Sequence, residues 1–320
     1  MGNDTARVIR TPKTDRRALP YAHQTCSKES PRMKFGLEIN DFEWPGGNAR
    51  MGEHLAAIGR RAEEAGFDSV WVWDHFIQLR KWDHAILEGW LSLAFLAAAT
   101  KRVKLGTLVT GVTYRHPAIL VKQASTLDVL SGGRAYLGIG AAWNEREHMA
   151  FGVEFGTWTD RFELLEDALQ IAHRAWSGET GAFHSKRVHL TEQMDSPRTV
   201  QQPHPPILIG GGGERKTLRL VAKYADATHQ GTSDPAEFRH KMDVLRRHCD
   251  EVGRDFDEIE RFAGLAVSDP RSRQLYEPAR ILDSVGALAA VGVQGVFLVL
   301  PQAVEPDTIE RFGQDVIAKA

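Results

Sequence analysis

Two hydrophobic periods alternate along most of this chain. Short apolar runs of strand length are followed by stretches in which apolar residues return every three or four positions. KFGLEI (34–39) predicts a strand. MGEHLAAIGRRAEEAG (51–66) predicts a helix, with Leu55, Ile58, Ala62 and Ala65 on one face and Gly66 placed to cap it. SVWVWDH (69–75) predicts the second strand and EGWLSLAFLAAAT (88–100) its helix. VKLGTLVTG (103–111) is rich in residues that suit a pleated sheet. HPAILVKQASTLDVLSGG (116–133) follows as a helix, with Pro117 in its first turn and glycines at its end. RAYLGIGA (134–141) is the fourth strand. TDRFELLEDALQIAHRAWSG (159–178) is the next helix, with Asp160 and Glu163 spaced as a capping box.

Residues 179–206 hold four prolines and no strong period, which predicts a loop or a short hairpin. Strands at ILIGGGG (207–213), ADATHQ (225–230), IERFAGLAV (259–267) and VQGVFLVLP (293–301) complete the set. The helices between and after them are expected at 214–225, 235–253, near 278–291, and in the C-terminal PDTIERFGQDVIAKA. Strands that are apolar on both faces belong to a buried parallel sheet. Eight strand–helix units predict a (β/α)8 TIM-like barrel, with a doubly wound open sheet as the alternative. The first 32 residues have few apolar positions and no period. They are expected to form a disordered extension, leaving Met33 as the functional start and 33–320 as the barrel domain. Arg16 and Arg17 resemble a twin-arginine signal, but no apolar segment follows them.

Composition changes this picture little. With 42% hydrophobic and 26% charged residues the chain can bury a sizeable core, and a formal net charge of -2 argues against a nucleic-acid or anionic-membrane partner. Two cysteines, Cys26 and Cys249, exclude a disulfide framework and fit a reducing, cytoplasmic setting. No apolar run reaches the ~20 residues that would cross a bilayer. The thirteen histidines include no HExxH and no HxH on the first strand, so a catalytic metal is not expected. No GxSxG elbow is present either.

In a barrel every strand ends on the same face, and active sites lie there. The strand ends carry Asn40 and Asp41; Asp74 and His75; Thr110 and Gly111; Gly140 to Asn144; Gly210 to Gly213; and His229 to Gly231. Asp74 and His75 leave the core where a pocket is expected to open. Asp74 could equally cap a loop, and His75 make a single structural hydrogen bond. GGGGERKT (210–217) puts a glycine turn before a helix N-terminus, which is a phosphate site by physics although not a P-loop. GIGAAWNE (138–145) lacks the third glycine of a dinucleotide fingerprint. It suits a loop beside a planar ring, with Trp143 as an aromatic wall.

Together, AEEAGFDSVWVWDHF (62–76), LGTLVTGVTYRHPAILVKQASTLDVLSGGR (105–134), LGIGAAWNEREHMAFG (137–152) and ILIGGGGERKTLRLVAKYAD (207–226) resemble the luciferase-like flavin or deazaflavin oxidoreductases, most closely the members that use coenzyme F420. The resemblance implies a ring cofactor across the barrel mouth. It implies an acid/base role for His75 and a hydrogen bond from Asp74 to the ring. It places a non-prolyl cis peptide near Leu108–Val109, with Thr110 and Gly111 bordering the ring. Ala141, Ala142, Trp143 and Asn144 would form a cofactor loop, and Gly211, Gly212, Gly213 and Glu214 the phosphate end. The acid that follows the fourth-strand glycines in a sugar-phosphate dehydrogenase of the family is not matched; Trp143 occupies that loop. Of Trp44, Trp73, Trp82, Trp90 and Trp143, one or two are expected to line the pocket. The implied activity is F420-dependent hydride transfer with a small organic substrate. The alternatives are an FMNH2-dependent monooxygenase of the alkanesulfonate or aldehyde type, a non-catalytic flavin-binding barrel, and a phosphate-binding barrel lyase or isomerase. A homodimer is a family expectation.

Overall fold

A computed structural model describes residues 32–79, 81–267 and 276–320. The N-terminal extension expected over 1–32 therefore lies outside the described residues except for Arg32. Eight parallel strands form the barrel: β1 Lys34–Ile39, β2 Ser69–Val72, β3 Lys104–Thr107 with a short continuation at Thr110–Gly111, β4 Ala135–Gly140, β5 Ile207–Gly210, β6 Ala227–Gln230, β7 Glu260–Gly264 and β8 Gly295–Leu298. β1 pairs with both β2 and β8, and β3 pairs with β4, so the sheet closes on itself and the open-sheet alternative falls.

The helices that follow are α1 Met51–Glu64, α2 Gly89–Ala99, α3 Pro117–Ser131, α4 Glu145–Phe151, α5 Trp158–Ser177, α6 Thr217–Tyr224, α7 Pro235–Val252, α8 Pro278–Ala289 and α9 Pro306–Asp315. Two local expectations need correction, and one helix was not foreseen. The third strand does not run unbroken to Gly111 but is interrupted at a cis peptide between Leu108 and Val109, the bond at which the resemblance placed one. The capping box on α5 is Thr157 with Asp160, so the helix begins just before the predicted start. α4 carries no apolar period and was not predicted. The proline-rich segment does hold a hairpin, Phe183–His184 against His189–Leu190.

Side chains on a strand alternate between faces, so the barrel has two separate apolar regions. Phe35, Leu37, Val70, Val72, Leu137 and Ile209 point outward into the layer shared with the helices. Trp71, Leu208, Ala227, Phe262 and Phe297 fill the barrel interior. Glycines at inward positions make room for the rings. A β-carbon on Gly106 would sit 2.4 Å from Trp71, one on Gly36 2.5 Å from Phe297, and one on Gly295 2.6 Å from Phe262. Gly138 is tighter still: its β-carbon would meet the Thr107 carbonyl oxygen at 1.8 Å. Gly138→Ala should therefore destabilise the protein by ~3 kcal/mol or more, because backbone cannot move aside as a side chain can. Gly286→Ala, on the exposed face of α8 with nothing near its added carbon, should instead stabilise by ~0.5–1 kcal/mol. Urea unfolding of both variants checks the pair.

Candidate active site

Inward positions near the strand ends explain why a cavity exists. Glu38, Trp73, Gly140, Gly210, His229, Gly264 and Phe297 line it, and three of these seven have no side chain. Above the aromatic plug, this leaves a cavity of about 920 Å³ at the C-terminal mouth, a volume suited to a cofactor or small molecule. Eight glycines line it: Gly111, Gly140, Gly210 to Gly213, Gly231 and Gly264. Walls of bare backbone admit a flat ring closely.

Of the residues expected at the site, His75, Leu108, Val109, Gly111, Ala141, Ala142, Trp143, Gly211, Gly212 and Gly213 line this cavity together. Four do not. Asp74 is fully buried, and both its carboxylate oxygens are held by Arg115, at 2.6 Å to Nη1 and 2.9 Å to Nη2. That corrects the expected hydrogen bond from Asp74 to a ring. Successive residues after a strand point to opposite sides, so Trp73 and His75 face the cavity and Asp74 faces away. Thr110 is likewise buried, its hydroxyl accepting from Trp90 Nε1 at 3.0 Å and meeting Thr107 Oγ1 at 2.9 Å. Asn144 precedes α4 and donates to Glu147 at 3.4 Å. Glu214 turns towards α7, pairing with Lys241 at 2.8 Å and His240 at 3.0 Å. Among the five tryptophans singled out, Trp73 and Trp143 line the cavity, joined by Trp158.

His75 is the centre of the polar chemistry. Its Nδ1 lies 2.8 Å from Oε2 of Glu147, a carboxylate with no exposed surface. Glu147 also accepts from the Tyr114 hydroxyl, the Phe76 amide and, at 3.1 Å, the Ile77 amide. Burial pushes this carboxyl up, but the bonds from His75, Tyr114 and Phe76 outweigh it and hold the group below the usual carboxylate range. An ionised carboxylate only accepts, so Nδ1 carries a proton towards Glu147 and Nε2 is the nitrogen left without that partner. Trp73, Tyr114 and Trp143 surround the imidazole edge-on, with centroids 5.8, 6.4 and 5.8 Å away. Glu147 escaped the sequence analysis because α4 is short and charged. Tyr114 and Glu38 escaped it too, although counting inward positions back from the end of β1 points to Glu38, whereas His229 stood among the strand-end residues named there.

His229 stacks on Phe297, with centroids 5.1 Å apart and planes at 18°. Its Nε2 is buried and has no hydrogen-bond partner within the protein. Burial lowers its pKa from 6.5 to about 4. It is therefore neutral at pH 7, and the unfolded chain takes up the proton first. Stability from this residue is complete above pH 6.5 and is lost as pH falls towards 4. A histidine titration by NMR should show at least one Cε1 proton, absent in His229→Phe, still largely unmoved at pH 5, and the stability deficit at that pH should shrink in the variant.

Among the described residues, no helix is long and apolar enough to cross a membrane, and no group of three or more His, Cys, Asp or Glu residues is placed to hold a metal. A closed parallel barrel with a glycine-walled cavity and an imidazole–carboxylate pair at its C-terminal mouth defines a TIM-like barrel enzyme. The chain belongs to the luciferase-like monooxygenase family, whose model matches residues 33–288. It is similar to the F420-dependent glucose-6-phosphate dehydrogenase of Kineococcus radiotolerans, at 37% identity over 223 residues, covering 67% of this chain and 63% of that protein. The match thus spans just under two thirds of that relative's length. The F420-dependent hydroxymycolic acid dehydrogenase of Mycobacterium tuberculosis is 32% identical over 279 residues, covering 79% of this chain and 76% of that protein. The structure of the coenzyme F420 dependent tetrahydromethanopterin reductase of Methanopyrus kandleri shares the fold, with a TM-score of 0.74 at 19% identity over 90% of this chain and 99% of that one.

Proposed function

We propose that the protein is an F420-dependent oxidoreductase acting on a small organic substrate. The carrying observation is that the His75–Glu147 pair and the Gly210–Gly213 turn open on one cavity. The residues fit a planar cofactor with a phosphate-bearing tail: glycines flatten the walls, His229 brings an unpartnered ring nitrogen, and the turn leads into α6. Gly211, Gly212 and Gly213 would hold the phosphate end, where the first amides of a helix lack internal partners. When bound, the deazaflavin supplies hydride transfer at its C5 position. The protein's part is the proton: His75 Nε2 accepts it from a substrate hydroxyl, or returns it to a carbonyl oxygen in the reverse direction. Glu147 fixes the tautomer and stabilises the imidazolium that forms. The surrounding aromatic rings keep water from the proton.

Side-by-side fluorescence titration with F420 and FMN tests this reading. Micromolar binding of F420 without comparable binding of FMN is the expected result. The reverse would favour a reduced-flavin monooxygenase, and binding of neither would defeat the proposal. We also infer a homodimer, supported by α2, which is apolar around its whole circumference and leaves Leu91 and Phe95 exposed. Sedimentation at micromolar protein measures it. A cytoplasmic location is supported by the two-cysteine content, with Cys249 a buried free thiol.

A further inference from the structure

One carboxylate in the cavity has no part in the proton step above. Glu38 occupies an inward position of β1, in register with Trp71 of β2. Its Oε1 accepts from Trp73 Nε1. Burial pushes its carboxyl above the ordinary range, and the Trp73 bond only partly offsets this. The ionisable residues lining the cavity are Glu38, His75, Tyr114 and His229; among the described residues no lysine or arginine lines it. Two nearby cations are already engaged, Arg115 by Asp74 and Glu88, and Lys241 by Glu214. Leu79, Leu108, Val109, Leu265, Val267 and Val299 make much of the remaining wall apolar.

A carboxylate offers about four lone-pair sites, and Trp73 engages one oxygen. A ligand hydroxyl could take a further acceptor site on the same carboxyl group. A phosphate or carboxylate group of a substrate would instead be enclosed beside Glu38 with no cation among the described lining residues to offset its charge. We propose that Glu38 is the substrate-selecting group of this cavity: it binds a hydroxyl or similar donor on an uncharged, largely apolar alcohol or carbonyl compound, and it excludes phosphorylated substrates. The proposal rests on the function proposed above, in which the glycine turn takes the cofactor's phosphate and leaves the Glu38 side for substrate.

The test reads binding, not turnover. Tryptophan fluorescence and calorimetry follow the addition of F420, then of secondary alcohols from propan-2-ol to decan-2-ol, and separately of glucose 6-phosphate, to protein with and without F420. Failure of F420 to bind counts against the proposed function, whereas the alcohol and phosphate arms judge Glu38 in either state. The expected result is that the longer alcohols bind and glucose 6-phosphate does not. Glu38→Gln should weaken the alcohols by ~10–100-fold with F420 affinity unchanged, and Glu38→Asp, which keeps the carboxyl group, should fall between. Melting curves establish that both variants are folded. Binding of glucose 6-phosphate as tight as the best alcohol, the absence of binding by every alcohol, or full alcohol affinity in folded Glu38→Gln would each overturn the proposal.

Discussion

Replacing His75 by alanine should lower kcat by ~10²–10⁴-fold while leaving F420 affinity within a few-fold of the parent. The imidazole is the one lining group whose second nitrogen is fixed by a fully buried, ionised carboxylate. Removing it takes away the proton acceptor but none of the glycine walls. Glu147→Gln should give a smaller loss, because its amide can still accept from Nδ1 but no longer offers a negative charge to the imidazolium. Turnover with F420 and a substrate found by alcohol screening measures both. Equal turnover by His75→Ala, with intact cofactor binding, would remove the imidazole from the mechanism.

The largest loss of stability is expected at Arg115. Its guanidinium bridges the buried Asp74 carboxylate and Glu88, and Glu88 in turn caps α2 by accepting from the Leu91 amide at 2.7 Å. Arg115→Met strands a carboxylate with no exposed surface, a change that typically costs ~3–5 kcal/mol. Burial already pushes Asp74 above the usual carboxylate range, with Arg115 pulling against it. Without Arg115 the folded state takes up the proton more readily than the unfolded chain. The deficit should therefore shrink as pH falls through the folded pKa and be largest at neutral pH. Arg115→Met combined with Asp74→Leu should recover most of the loss, since an apolar pair of similar volume carries no stranded charge. Urea unfolding at pH 5 and pH 7 reads all three effects. A deficit under ~1 kcal/mol at pH 7 would mean the pair is far better solvated than its burial implies.

The barrel was legible because each strand is a short apolar run closed by glycine or a polar pair, and each helix has its own period and caps. The glycine turn and His75 were legible for the same reason: they lie where strands end. Asp74 was misread because neighbours in sequence share a strand end but not a face. Glu147 was not legible. It lies 72 positions from His75 on a helix of seven residues, and no local pattern marks a charged residue that will be wholly enclosed. The break in the third strand left no trace in its hydrophobic pattern, which runs on through Leu108 and Val109; only the family resemblance placed a cis bond there.

Phe297 belongs to two things at once. It is packed with Trp71 and Phe262 inside the barrel, and it is also the floor on which His229 rests. Any attempt to deepen this pocket by carving its base would loosen the interior that keeps the eight strands apart at their proper spacing. Redesign of what the enzyme accepts has its freer ground at the rim, where Leu79, Trp143 and Trp158 can change without disturbing that interior.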